Sequence, residues 1–208
     1  MPRIIDVHCH PYTKIGWCSL GKFRVHLERY LYRKENATAE SCTAEAPTEE
    51  EWVSVYRELG VVATPVGWDA ETAMAPGDPI YRNNDNDYIA SLRDTYPDVV
   101  IAGWGSVDPW KKSKALREVE RCHKELKLIG LKFQQVGQAF SLADPQFYPL
   151  WDLCQDLGMP IQLHSGFTGL GSGAPGAYGL KLKYTMNLIP DFDDLLAIFI
   201  LVILLAIE

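Results

Sequence analysis

An α/β architecture built on a parallel sheet follows from three observations in this 208-residue sequence. Short β-rich apolar runs alternate with amphipathic helical patterns, the connections between them are short, and neither a repeat nor an inter-domain linker breaks the alternation. Such alternation implies right-handed βαβ units. We therefore expect a single domain over residues 1–208.

The elements follow in order. Strands are expected at Ile4–His8, Val61–Val66, Val99–Trp104, Leu128–Phe133, Pro160–His164 and about Leu201–Ala206. A helical insertion occupies about residues 12–47. In it Phe23, Leu27, Tyr30 and Leu31 fall at helical spacing, and Asn36 to Pro47 reads as a polar loop. Thr48-Glu49-Glu50-Glu51 is a capping box, and Trp52, Val55 and Leu59 share one helical face before Gly60. A helix is expected from about Asn84 to Tyr96. The next helix buries Leu116, Val119, Cys122 and Leu126 and interleaves lysine and arginine with glutamate on a solvated face. Asp144-Pro145 forms an N-cap with proline at the first helical position, and Leu150, Cys154 and Leu157 repeat toward Gly158.

Composition sets bounds on this picture. With 47% hydrophobic and 23% charged residues, the chain is neither disordered nor fibrous. A formal charge of −7 argues against binding nucleic acid or an anionic membrane surface. The N-terminus lacks a basic flank followed by an apolar stretch, and the five cysteines are scattered without a C-x-x-C. A cytoplasmic protein with reduced thiols is the expectation. From Leu195 to Ile207 run thirteen apolar residues, closed by Glu208. A membrane helix needs about 18–20, so this run is expected to be the end of a helix plus one buried strand. Exposed, it would invite aggregation; a homo-oligomer is one way to bury it.

The strongest chemical signal is Asp6-Val7-His8-Cys9-His10-Pro11. Residues two apart on a strand point to one side, so Asp6, His8 and His10 are expected on one face with Cys9 opposed. Pro11 cannot extend the ladder, which puts both histidines at the strand's C-terminal end. In an α/β barrel that end carries the active site. A third histidine, His164, closes the run Met159-Pro160-Ile161-Gln162-Leu163-His164-Ser165-Gly166. Three imidazoles on one rim leave a metal ion an open position for water, as in catalytic zinc sites. His26 and His123 lie in helical patterns beside charges and read as surface residues.

These motifs, with Gly105-Ser106-Val107-Asp108-Pro109, Gly130-Leu131-Lys132-Phe133 and Tyr148-Pro149-Leu150, carry a resemblance. In order, from residue 3 to about 199, the chain is similar to the amidohydrolase-related metal-dependent hydrolases. This branch of the amidohydrolase superfamily includes aminocarboxymuconate-semialdehyde decarboxylase and related aromatic-acid decarboxylases. Gly179-Leu180-Lys181-Leu182-Lys183-Tyr184 and Asp193-Asp194 resemble later family segments.

The resemblance implies a TIM-type (β/α) barrel and one divalent metal ion, usually zinc, with His8, His10 and His164 as ligands. The family's aspartate after strand eight and histidine after strand six have no counterpart. At 208 residues, below the usual length of about 250, the barrel is expected to be truncated after about strand six. Glu208 falls near the position of the missing histidine. Lys132, which stands where other branches carry a metal-bridging lysine, is expected to face inward and pair with a carboxylate or orient substrate; a structural lysine is the alternative. Gln134 stands where relatives often have histidine.

Gly171-Ser172-Gly173-Ala174-Pro175-Gly176 formally matches G-x-G-x-x-G but contains proline and opens no helix, so it reads as a loop rather than a dinucleotide site. Arg24, Arg29 and Arg33 could meet a substrate carboxylate or simply cover a helix surface.

The expectation is a metal-dependent hydrolase acting on a small carbonyl or carboxylate substrate. Zinc lowers the pKa of bound water to about 7 and polarises carbonyls. Non-oxidative decarboxylation of an aromatic or unsaturated acid is the alternative on the same scaffold. A catalytically impaired barrel, or one completed by a partner chain, is the other.

Overall fold

The computed structural model describes residues 4–16, 25, 28–29, 34–74, 86–165 and 197–201. All strand pairs in it are parallel. Strand β1 (Ile4–Cys9) pairs with β2 (Val61–Pro65), and β3 (Trp104–Gly105), β4 (Gly130–Phe133), β5 (Ile161–Ser165) and β6 (Ala197–Leu201) follow in spatial order. Bridges Ala63–Val100 and Val66–Trp104 link the two sets. Sequence order and spatial order therefore coincide along one parallel arc.

Helices fill the connections: α1 (Ala39–Glu45), α2 (Glu49–Leu59), α3 (Glu71–Met74), α4 (Asn86–Thr95), α5 (Ser113–Lys124), α6 (Gln135–Gln138) and α7 (Tyr148–Asp156). The expected capping box is present in α2: the Thr48 side chain accepts from Glu51 N, and Glu51 accepts from Thr48 N. Gly60 ends this helix at φ 64°, a left-handed conformation that favours glycine. Among the described residues, no helix is long and apolar enough to cross a membrane.

Alternation along β4 and β5 separates two environments. Leu131, Phe133, Ile161 and Leu163 point toward the helices and join Cys122, Trp151 and Cys154 in one core. Phe133 meets Trp151 edge-on at 5.1 Å, and the Trp151 indole N–H donates to Leu142 O. Lys132, Gln162 and His164 fall on the alternate face, toward the interior of the arc.

Four expectations change. Residues 39–45 form a helix, not loop, because Thr38 and Ser41 make a capping box with serine in the third position. The third strand shortens to Trp104–Gly105; residues before it bond singly, Ala63 N to Val99 O and Ile101 N to Ala63 O. Asp144-Pro145 opens a 3-10 turn, Pro145–Phe147, and α7 begins at Tyr148. The last strand lies at Ala197–Leu201, meeting the expected range only at Leu201, since an unbroken apolar run offers no periodicity to locate a strand inside it. Glu208, His26, Arg24, Arg33 and the glycine-rich segment 166–179 lie outside the described residues.

Candidate metal centre

The site begins with an irregularity in β1. Asp6 pairs with Ala63 and Cys9 with Pro65, so three steps on β1 oppose two on β2. This extra residue is a bulge, which re-aims the side chains around it. Asp6 consequently leaves the histidine face expected for it and turns to α2, where its Oδ2 accepts from the Tyr56 hydroxyl at 3.0 Å. Its Oδ1 accepts from His8 N at 3.1 Å. Cys9 packs outward with Trp52 and Val53, as expected, and burial pushes its thiol up to about 12.

His8 and His10 then lie together, with ring centroids 5.1 Å apart, and the His164 ring stands 6.5 Å from His8. Two imidazoles sharing one ion through bonds of about 2.0–2.1 Å place their centroids about 5 Å apart. The His8–His10 pair has that spacing, while His164 is set back by more than an ångström. Among the described residues, no three histidine, cysteine, aspartate or glutamate side chains already close around an ion. The three predicted ligands are brought to one place, with the third wider than a finished site requires.

The electrostatics favour neutral rings. Burial lowers the His8 imidazole to about 3, with the Lys132 and His164 charges adding to the effect. Burial likewise holds His10 well below the ordinary histidine value, followed by His8 and Lys132. A neutral imidazole keeps the lone pair a metal needs. His8 Nε2 is buried with no hydrogen-bond partner among the described residues, so the donor chemistry fits a divalent ion.

Lys132 sits beside this cluster, 2% exposed, its Nζ also buried without a hydrogen-bond partner among the described residues. Burial alone lowers its amine to about 7. No described carboxylate pairs with it in a salt bridge. Gln134 caps α6 by accepting from Gly137 N and is 5% exposed. Arg29 donates twice to Ala37 O, so its guanidinium is engaged inside the insertion. His123 lies in α5, half-buried, apart from the cluster.

Two features escaped the sequence reading. Gln138, 1% exposed, donates to Asp69 O at 2.7 Å and Val107 O at 2.8 Å and accepts from Gln134 N at 2.9 Å. It thereby joins the loops that leave β2, β3 and β4 toward the site. Gln162 reaches from β5 to Val7 O on β1 at 2.9 Å. Its signal was visible, a polar residue two before His164 in an apolar strand, but its partner was not.

Comparison with known proteins extends the picture. A 2-amino-3-carboxymuconate-6-semialdehyde decarboxylase from Dictyostelium discoideum is 30% identical over 79 residues, 38% of this chain and 22% of that protein. The 5-carboxyvanillate decarboxylase of Sphingomonas paucimobilis superposes with a TM-score of 0.65 at 20% identity, covering 95% of this chain and 67% of its own. A 5-carboxyvanillate decarboxylase from Novosphingobium aromaticivorans, solved with manganese and 3-methoxy-4-hydroxy-5-nitrobenzoic acid, gives 0.66 at 17% identity, covering 95% and 65%. The chain thus spans about two thirds of these solved structures, and about a fifth of the Dictyostelium protein is aligned. The likenesses show the fold, a TIM-type barrel arrangement of parallel strands and helices. The amidohydrolase family profile matches residues 5–203, nearly the whole sequence, and the chain belongs to the amidohydrolase family.

Proposed function

We propose that this protein works as a metal-dependent, non-oxidative decarboxylase of an aromatic or unsaturated carboxylic acid. The observation that carries the proposal is the company the chain keeps. Within an amidohydrolase-family match, both the curated relative and the solved neighbours described above are decarboxylases. This favours decarboxylation over the hydrolysis expected first.

In this reading His8, His10 and His164 hold one divalent ion, and a bound divalent ion would orient an acid substrate through its oxygen atoms and offset their negative charge. The neutral His8 and His10 rings are ready to coordinate without first losing a proton. Loss of carbon dioxide leaves an electron pair on carbon that must be protonated. Lys132 Nζ, buried beside the histidines and lowered to about 7, is the candidate group to hold that proton near neutral pH. Glu208 remains a weaker candidate for acid–base duty. The domain reading stays as first drawn: one barrel domain over 1–208 with a helical insertion at about 12–47, taking a small-molecule substrate.

Hydrolysis of a small carbonyl substrate is the second reading, favoured by the family's own description. One experiment separates the two. Protein loaded with manganese or zinc is offered hydroxybenzoic and carboxymuconic acids in one arm and esters, amides and lactones in the other. Carbon dioxide release from the acids, lost in His8→Ala, supports the proposal; turnover confined to the second arm overturns it.

A further inference from the structure

We propose that Gln162 is a positioning residue for the histidine cluster, tying the strand that carries His164 to the strand that carries His8 and His10. The proposal rests on reading those histidines as metal ligands. It adds to that reading a reason for their mutual placement.

Consider the peptide unit between Val7 and His8. It lies inside the β1 bulge, where pairing with β2 slips between Asp6 and Cys9. Its carbonyl oxygen, Val7 O, accepts from Gln162 Nε2 at 2.9 Å. Its N–H, on His8, donates to Asp6 Oδ1 at 3.1 Å. A peptide unit is planar, so holding its oxygen and its hydrogen fixes the plane. That plane sets the direction in which the His8 side chain leaves the backbone. Two side chains thus replace the regular ladder where the first ligand emerges.

Gln162 suits this task by position and length. It is fully buried, and β-strand alternation puts it on the same face as His164, two residues on. Its bond joins residues 155 apart in sequence across the interior of the arc. The span it closes lies beside the one between the His8 and His164 rings, 6.5 Å. An amide of this length supplies the N–H that Val7 O accepts; methionine has nearly the same shape and no donor.

The test compares wild type, Gln162→Met and Ser106→Ala in the full chain. Ser106→Ala is the control, since it too removes one buried hydrogen bond, from Asp69 N at 3.2 Å, away from the histidines. Two readouts are taken: histidine imidazole resonances by NMR in metal-free protein, and cobalt(II) titration followed by visible absorption and calorimetry. We expect Gln162→Met to shift the His8 and His164 resonances, weaken cobalt binding about tenfold, as loss of an outer-shell partner does, and alter the cobalt spectrum. Ser106→Ala should leave all three as in wild type. Unchanged resonances in Gln162→Met, or equal effects in the control, would overturn the proposal. If wild type takes up no cobalt while Gln162→Met still shifts the resonances, the positioning role stands and the metal reading fails.

Discussion

Removing the Gln138 side-chain amide should loosen the loops that leave β2, β3 and β4 by a calculable amount. Gln138→Met keeps the volume and deletes three hydrogen bonds: to Asp69 O at 2.7 Å, to Val107 O at 2.8 Å and from Gln134 N at 2.9 Å. Gln138 is 1% exposed, so water cannot take over these bonds without the loops moving. A buried hydrogen bond is worth about 1 kcal/mol net, and a partner left unsatisfied costs about 1–3 kcal/mol. Three bonds, each taken near the lower end of these figures, put the loss at about 3–4 kcal/mol, a large share of the roughly 5–15 kcal/mol typical of a domain. With a urea m-value of about 2–3 kcal/mol/M, the midpoint should fall by about 1–2 M. Equilibrium urea unfolding followed by tryptophan fluorescence reads this directly. A fall below about 0.3 M would mean that the three loops are held by something other than Gln138.

Three further outcomes follow from particular contacts. Tyr56→Phe deletes the hydroxyl that donates to Asp6 Oδ2 at 3.0 Å, and urea unfolding should show a loss of about 1.5–3 kcal/mol, the range for a bond to a charged group. Asp87 is held below the usual carboxylate range by its hydrogen bonds from Arg121, which also grips Glu118. Its contribution is present above the unfolded carboxylate value of about 3.9 and is lost as pH falls through the lower folded value. Because Asp87 is 57% exposed, Asp87→Asn should cost only about 0.5 kcal/mol at pH 7, and the difference should shrink as pH falls below the unfolded value, by paired unfolding curves. Ile4 and Ile5 are 66% and 49% exposed on β1, which among the described strands pairs only with β2. Light scattering should show concentration-dependent self-association that Ile5→Lys reduces; a constant mass for wild type would contradict this.

Local chemistry was legible wherever a few neighbouring residues decide the outcome. Thr48 and Glu51 announce their helix start because both halves of the capping box lie within four residues. His8 and His10 announce a strand end because Pro11 follows them. The same rule missed residues 39–45, where Ser41 takes the role usually given to glutamate or glutamine. What could not be read were features set by distant pairing. The β1 bulge exists only against the register of β2, so Asp6 could not be placed with Tyr56 from its own spacing. Gln162 and Val7 meet only once the sheet curves. The end of the chain was located imperfectly because thirteen apolar residues carry no internal marker. The candidate site was therefore visible as three histidines, while the side chains that hold them in place were not.

In the proposed function, His8, His10 and His164 bind one divalent ion together. Calorimetric titration of the metal-free chain with manganese and with zinc, in wild type and in His8→Ala, His10→Ala and His164→Ala, tests it most directly. We predict one ion per wild-type chain and at least a hundredfold weaker binding in each variant. Equal stoichiometry and affinity in all four proteins would mean that these histidines do not hold the ion.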